Sequence, residues 1–71
     1  MQFNHDKLCG RITEKFGSQA GLARAIKWTE GRLSNRLNNK VQFNAEEINL
    51  LCAPEVLDIA PEEIPTYFFT L

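Results

Sequence analysis

Residues 18–40 contain two short amphipathic segments separated by a break of only a few residues, and this feature constrains the fold most. The side chains expected to point inward are Ala20, Leu22, Ala23 and Ile26 in the first segment, and Leu33 and Leu37 in the second. This spacing fits the 3.6-residue period of an α-helix. Two helices so short and so close together predict a helix-turn-helix.

The second predicted helix turns a polar surface towards solvent. Its expected outward residues are Thr29, Glu30, Gly31, Arg32, Ser34, Asn35 and Arg36. Short hydrogen-bonding side chains flanked by arginines suit the edges of DNA bases bordered by phosphates. The alternative is a charged helix surface that only faces solvent.

The distribution of charge favours the DNA interpretation, although the total charge does not. The chain of 71 residues carries eight basic and nine acidic side chains, for a net charge of −1, whereas DNA-binding domains are usually basic. All eight basic residues precede residue 41, together with only three acidic ones, so this part carries +5. Residues 41–71 contain six acidic and no basic side chains. One surface can therefore attract phosphate while another repels it.

The length predicts one domain, residues 1–71, with a small core. No apolar stretch approaches the roughly 20 residues needed to span a membrane. The first residues lack the basic and apolar regions of a signal peptide. We therefore expect a cytoplasmic protein that has no membrane partner.

A further amphipathic helix is predicted before residue 18. Its apolar residues recur at every fourth position, at Leu8, Ile12 and Phe16. We expect this helix to begin at about residue 4 or 5, with Asn4 or Asp6 as its cap, and to end at Gly17. Ser18 and Thr29 are the expected N-caps of the next two helices.

The part of the chain after Lys40 predicts two more helices. Asn44 is the expected N-cap of a helix from about Ala45 to Leu57, broken near Ala53 because Pro54 removes a backbone donor. Its inward residues would be Ile48, Leu51, Cys52 and Val56. Pro61 fits the first turn of a short last helix, which Pro65 either kinks or ends. The predicted fold class is all-α, a compact bundle of about five short helices.

Metal binding and catalysis both lack a supporting pattern. Cys9 and Cys52 could form a disulfide in an oxidising compartment or join His5 at a metal, but the spacing is not characteristic of a metal site, and buried free thiols are favoured. His5 is expected to be solvated or to cap a helix, since no nucleophile is fixed near it. Gly21 and Gly31 lie inside helical patterns and do not form a phosphate loop. We expect no enzyme activity, no cofactor, no metal and no small-molecule ligand.

Residues across nearly the whole chain resemble regulators of temperate bacteriophages. The motif residues similar to phage Cro and repressor helix-turn-helix domains are Gln19-Ala-x-Leu-Ala23, Ile26, Thr29, Leu33 and Leu37-Asn-Asn-Lys40. Small lysogeny-switch regulators of the Cro or modulator-of-repression type are similar in Phe3-Asn4, Lys7-Leu8, Leu33-Ser-x-x-Leu-Asn-x-Lys40 and Glu63-Ile-Pro-x-Tyr-Phe-Phe69. The resemblance implies a lambda-repressor-like fold in the cytoplasm of a bacterial host cell. Two positions depart from the motif: Lys27 replaces the common turn glycine, and Gly31 lies inside the recognition helix.

The resemblance also implies which residues contact DNA. Gln19 would meet a phosphate or the edge of the site, helped by the positive end of its helix. Asn35 would reach towards adenine and Arg32 towards guanine, because these pairs allow bidentate hydrogen bonds. Phosphate contacts are expected from Arg36, Asn38 and Lys40. The full predicted DNA-binding set is Gln19, Thr29, Glu30, Gly31, Arg32, Ser34, Asn35, Arg36, Asn38 and Lys40.

The aromatic residues have two competing interpretations. Tyr67, Phe68 and Phe69 could cover the fourth helix or could form a patch for a partner. We expect Phe68 to pack inward and at least one of the other two to be available to a partner. Trp28 is expected to pack across the junction of its two helices.

Two functional hypotheses follow. The leading one is a sequence-specific, Cro-like transcriptional repressor that occupies double-stranded operator DNA, either as a homodimer or together with the phage repressor, because one helix-turn-helix contacts only half a site. The alternative is a protein-interaction module that binds the phage repressor and modulates its operator occupancy.

Overall fold

The computed structural model describes residues 3–71 and contains five short helices. They are α1 (Asp6–Phe16), α2 (Gln19–Ala25), α3 (Glu30–Leu37), α4 (Ala45–Cys52) and α5 (Ile64–Phe68), with a 3-10 turn (Pro61–Glu63) leading into α5. No strand occurs within residues 3–71. The predicted all-α class is confirmed.

One hydrophobic core joins all five helices. Its fully buried side chains include Leu8 and Ile12 of α1, Leu22 of α2, Leu33 of α3 and Leu51 of α4. Phe68 of α5 is also buried and closes the core from the end of the chain. The inward positions predicted from the helical period are confirmed for the five leucine and isoleucine residues. Helices this short depend on burial of their apolar side for stability.

In the first half of the chain, the predicted end of α1 and the predicted caps of α2 and α3 are confirmed, whereas α1 begins at Asp6, one or two residues later than predicted. Gly17 ends α1 in the left-handed conformation, at φ 79°. The side chains of Ser18 and Thr29 accept hydrogen bonds from the backbone N–H groups of Gly21 and Arg32, and so cap α2 and α3. At α1 the cap position is His5, while the Asn4 side chain accepts from the N–H of Asp6.

The tight turn between α2 and α3 forms without a glycine. Lys27 adopts φ 63°, the left-handed conformation for which glycine is normally favoured. The N–H of Trp28 then donates to the carbonyl of Ala23 at 2.8 Å, which closes the turn. The departure at Lys27 therefore does not prevent the tight turn between α2 and α3.

The second half of the chain breaks where the prolines predict, with shorter helices. Asn44 caps α4 as predicted, but α4 ends at Cys52, and the next five residues form turns instead of continuing to Leu57. Pro65 lies in the first turn of α5, where its missing N–H is not required, so the helix continues through Phe68. Pro65 therefore does not end the last helix.

Arg11 fixes the turn that follows α4. Its Nε and Nη2 atoms donate to the carbonyls of Leu57 and Asp58, both at 2.8 Å. Asp58 has φ 53°, so this turn holds a non-glycine residue in the left-handed region. The basic side chain therefore ties the first helix to a turn 46 residues away in the sequence.

His5 and the two cysteines differ in part from expectation. His5 is buried, so the prediction of a solvated side chain is wrong. It occupies the N-cap position of α1, but its side chain turns to the end of α3, where Nδ1 lies 3.1 Å from the carbonyl oxygen of Leu37 and the ring is edge-on to Phe43. Residues 37 and 43 flank the loop after α3 and enclose the imidazole. Cys9 and Cys52 are unpaired but only half-buried, and burial raises the pKa of both thiols. No helix within residues 3–71 is long and apolar enough to cross a membrane.

Candidate recognition surface

The outer surface of α3 carries most of the residues predicted to contact DNA. Those exposed are Gln19, Thr29, Glu30, Gly31, Arg32, Asn35, Asn38 and Lys40, whereas Ser34 and Arg36 are half-buried. All except Gln19 belong to α3 or its flanking turns. Their proximity follows directly from the helix and its caps, so the structure brings this set together on one element.

Several of these side chains are engaged within the helix itself. Thr29 serves as the N-cap. The amide of Asn38 donates to the carbonyl and to the hydroxyl of Ser34, at 2.9 and 3.0 Å. Asn35 and Lys40 are exposed, and the carbonyl of Asn35 accepts the N–H of Lys40 at the end of the helix. Asn35 is therefore placed where its amide can reach a binding partner.

Arg36 does not face solvent as the helical pattern predicts. Its side chain is 14% exposed, whereas that of Arg32, one turn earlier, is 47% exposed. The low exposure of Arg36 is caused by Glu47 of α4, whose side chain lies against α3. The expectation that Arg36 points largely to solvent is thus corrected by a contact between distant parts of the chain.

Glu47 binds both arginines of α3. Arg36 donates from Nε to Oε1 at 2.9 Å, and its Nη2 lies 2.8 Å from Oε2. Arg32 donates from Nη2 to Oε2 at 3.1 Å. Arg36 also donates from Nη1 to the carbonyl of Arg32 at 3.1 Å. We call these three side chains the Glu47 clamp.

The same carboxylate also takes part in the cap of α4. Oε1 of Glu47 accepts the N–H of Asn44 at 3.0 Å, and the Asn44 side chain accepts the N–H of Glu47 at 2.8 Å. This reciprocal arrangement is a capping box. The hydrogen bonds from Arg36 lower the pKa of Glu47 to about 2 from its ordinary value of 4.5, although burial opposes the shift. Glu47 is therefore ionised at neutral pH.

Trp28 forms the base on which the two arginines lie. The guanidinium carbon of Arg32 is 4.1 Å from the centre of the indole ring, and that of Arg36 is 5.3 Å away. Both distances are within the range of cation–π attraction. Trp28 also packs against the core, as expected for a tryptophan at a helix junction.

The cations that remain for a partner lie on α1, at the end of α2 and after α3. Among residues 3–71, ion pairs occupy Arg11, Arg32 and Arg36. The other basic side chains are Lys7, Lys15, Arg24, Lys27 and Lys40, and all are exposed. Arg24 and Lys27 lie at the end of α2, and Lys40 follows α3. The two arginines of α3 are balanced by Glu30 of the same helix and by Glu47 of α4.

The aromatic end of the chain forms part of a shallow groove. Phe68 is buried, which confirms its predicted inward position, while Phe69 is 47% exposed and touches Phe3 edge-on, with ring centres 5.4 Å apart. Tyr67 is half-buried and packs against the core. The groove beside Phe69 is lined further by Val41 and Phe43.

Within residues 3–71, no group of His, Cys, Asp or Glu has the arrangement of a metal site.

Sequence reasoning did not find Glu47, although the sequence carries a signal for it. Asn44 and Glu47 have the three-residue spacing of a capping box. Glu47 also precedes Leu51 by four residues, which places it on the inward side of α4. An acidic residue at such a position must be paired when buried.

Comparison with known proteins gives a family and a similar structure. The sequence model of the family described as "Protein of unknown function (DUF739)" matches residues 1–71. The chain is similar to the solution structure of the modulator of repression (MOR) of the temperate bacteriophage TP901-1 from Lactococcus lactis. The sequences are 40% identical, the match covers 97% of this chain and 90% of that chain, and the TM-score is 0.79. No curated protein matches the sequence.

Proposed function

We propose that this chain, which belongs to the DUF739 family, is a phage regulatory protein that binds a phage repressor and changes the occupancy of its operator. The similar structure is that of a modulator of repression, and the match extends over nearly the whole chain. A modulator of this kind needs a surface for the repressor, and the exposed surface of α3 is the candidate.

The observation that carries the proposal is the Glu47 clamp. A helix that binds DNA gains affinity when its cations replace the counterions of the phosphates. Here the two cations of α3 are already bound to a carboxylate that is 4% exposed. Glu30 and the bound Glu47 of α4 together offset the charge of both arginines, which disfavours direct DNA binding and suits a protein partner.

The composition of this surface also fits a protein interface. Tryptophan and arginine are enriched among the residues that dominate protein–protein binding. Arg32 is held in place by Trp28 and Glu47, so it loses less conformational freedom on binding than an unsupported arginine. We propose Arg32 and Asn35 as central contacts to the repressor.

Operator DNA is the second candidate partner, supported by the exposed cations around the helix-turn-helix. In this Cro-like mode Gln19, Lys40 and Asn38 would contact phosphates, while Asn35 would reach a base edge. Arg24 and Lys27 would add charge beside them. Arg36 would have to leave Glu47 to contact a phosphate. A homodimer, or a complex with the repressor, would supply the second half-site.

A titration with the repressor of the same phage separates the two candidates. We expect this protein to change the affinity of that repressor for a labelled operator duplex, while binding the duplex weakly on its own at 150 mM salt. Fluorescence anisotropy measures both quantities, and size-exclusion chromatography without DNA detects the protein complex. Tight, sequence-specific binding of the operator by this protein alone, with no repressor complex, would favour the Cro-like function instead.

Phe69→Ser tests whether the aromatic end also contacts the repressor. We expect about a tenfold loss of repressor affinity, which corresponds to about 1.4 kcal/mol, because truncation of an aromatic anchor at a protein interface can cost about 1 kcal/mol or more. Leu50→Ser is the matched control, since Leu50 is 39% exposed on α4 and Phe69 is 47% exposed. Isothermal titration calorimetry measures both affinities. Equal losses in the two variants, or a fall in far-UV helical signal for Phe69→Ser, would remove Phe69 from the interface.

A further inference from the structure

We propose that Glu47 determines which class of partner α3 accepts, because its carboxylate occupies the guanidinium donors that DNA phosphates would otherwise contact. In the absence of Glu47, α3 would act as a cationic helix with affinity for any duplex DNA. The inference rests on the proposed function in taking a protein as the main partner, but its test needs no repressor.

The geometry leaves Arg36 committed within the chain. All three nitrogens of its guanidinium lie within bonding distance of an acceptor: Nε and Nη2 at Glu47, and Nη1 at the carbonyl of Arg32. A planar guanidinium binds a carboxylate or a phosphate with the same pair of parallel N–H groups. The bound carboxylate therefore takes the place that a phosphate would need.

Arg32 is held by the same carboxylate in a different way. It keeps 47% of its side-chain surface exposed, but its guanidinium lies over Trp28 and one of its terminal nitrogens binds Oε2 of Glu47. Contact with a phosphate would require competition with both attractions. Arg32 is thus the side chain for which the loss of Glu47 has the clearest effect on DNA binding.

Burial favours the Glu47 carboxylate over a DNA phosphate in the competition for the two arginines. The carboxylate of Glu47 is nearly excluded from solvent and is also held by the N–H of Asn44, whereas a phosphate at the surface stays hydrated and screened by salt. If Arg36 moved to a phosphate, Glu47 would remain as a buried charge with one partner fewer. One exposed phosphate contact does not offset that cost.

The first arm of the test uses the chain with Glu47 in place. We expect Arg32→Ala to leave the salt dependence of binding to a random 20-base-pair duplex unchanged, measured by anisotropy from 10 to 100 mM salt. Lys40→Ala is the matched control, because it removes one exposed cation from the end of the same helix. If Arg32→Ala lowers the log–log slope by about 0.9, the value for one phosphate contact, Arg32 binds DNA despite Glu47 and the proposal fails.

The second arm removes the carboxylate without changing the net charge. In the double variant Arg36→Met, Glu47→Leu, an apolar pair replaces the ion pair, a change that buried pairs often tolerate. We expect the slope of log affinity against log salt concentration to become steeper by about 0.9. We also expect the affinity for the duplex to rise roughly tenfold at 50 mM salt. Adding Arg32→Ala should reverse both changes, which a merely structural role of Glu47 would not predict.

Two outcomes of this arm would overturn the inference. One is a double variant with normal far-UV helical signal that binds duplex DNA no more tightly than the original chain. The other is a gain in affinity that survives the added Arg32→Ala. If the double variant does not fold, the first arm decides, since Arg32 is exposed and its removal leaves the core intact. Failure of the proposed function shows separately, as the absence of a repressor complex.

Discussion

Glu47→Ala is expected to lower the free energy of unfolding by about 3 kcal/mol, a large part of what a 71-residue domain possesses. The substitution leaves Arg36 half-buried without its carboxylate, and removes an acceptor from Arg32 and from the N–H of Asn44. Urea unfolding followed by far-UV circular dichroism measures the loss. The fluorescence of Trp28, the only tryptophan, reports the same transition from within the cluster.

Acid should reproduce this loss in the unmodified chain. The pKa of Glu47 in the folded state is about 2, below its ordinary value of 4.5, because Arg36 hydrogen-bonds to the ionised carboxylate. A carboxyl group whose pKa is lower in the folded state than in the unfolded state stabilises the fold. This contribution is complete at pH values above the unfolded-state pKa, and it disappears as the pH falls from about 4.5 towards 2. Stability of the unmodified chain should therefore fall over this interval more steeply than that of Glu47→Ala.

The control for both measurements is Glu46→Ala. Glu46 is the preceding residue of α4, carries the same charge and is exposed, so we expect a change within about 0.5 kcal/mol. Equal destabilisation by the two alanine variants would show that the clamp adds nothing beyond the helix dipole. A pH profile unaffected by Glu47→Ala would contradict the assigned pKa.

Local sequence signals determine most of this fold. The helical period places Leu8, Leu33 and Leu51 in the core, and the caps at Ser18 and Thr29 are single-residue signals with a known geometry. Both kinds of signal act over a few residues. They can therefore be identified without knowing which helices pack together.

The features that the sequence pattern missed depend on contacts between distant residues. His5 is buried because the loop after α3 folds over it. Arg36 is shielded from solvent because it binds Glu47, which is 11 residues further along the chain and belongs to another helix. Arg11 binds a turn 46 residues away. A helical pattern shows which side of a helix is polar, but it cannot show whether that side meets water or a charged residue of another helix. For α3, this difference decides which partner the surface suits.

The second large effect is expected from Gly21→Ala, which should lower the free energy of unfolding by about 2–3 kcal/mol. A Cβ at Gly21 would lie 2.6 Å from the carbonyl oxygen of Phe16 and 3.5 Å from the Ser18 hydroxyl. The nearest atom belongs to the backbone at the end of α1, so it cannot move aside as a flexible side chain could. α1 and α2 would have to separate, which would disturb the buried contacts of Leu22 and Ile12.

Gly31→Ala provides the matched comparison. It makes the same substitution in the next helix, but we expect it to raise the free energy of unfolding instead of lowering it. Nothing lies within 4 Å of a Cβ at Gly31, so alanine should stabilise α3 by about 0.5–1 kcal/mol. Thermal unfolding of the two variants measures both changes in stability, and a destabilised Gly31→Ala variant would contradict the open surroundings of this position.

Since no contact within residues 3–71 requires a glycine at position 31, a requirement for one must come from a partner that approaches α3 closely. A stabilised Gly31→Ala variant that binds the repressor or the operator less tightly would place that partner directly over α3, whereas undiminished binding to both would place the interface elsewhere.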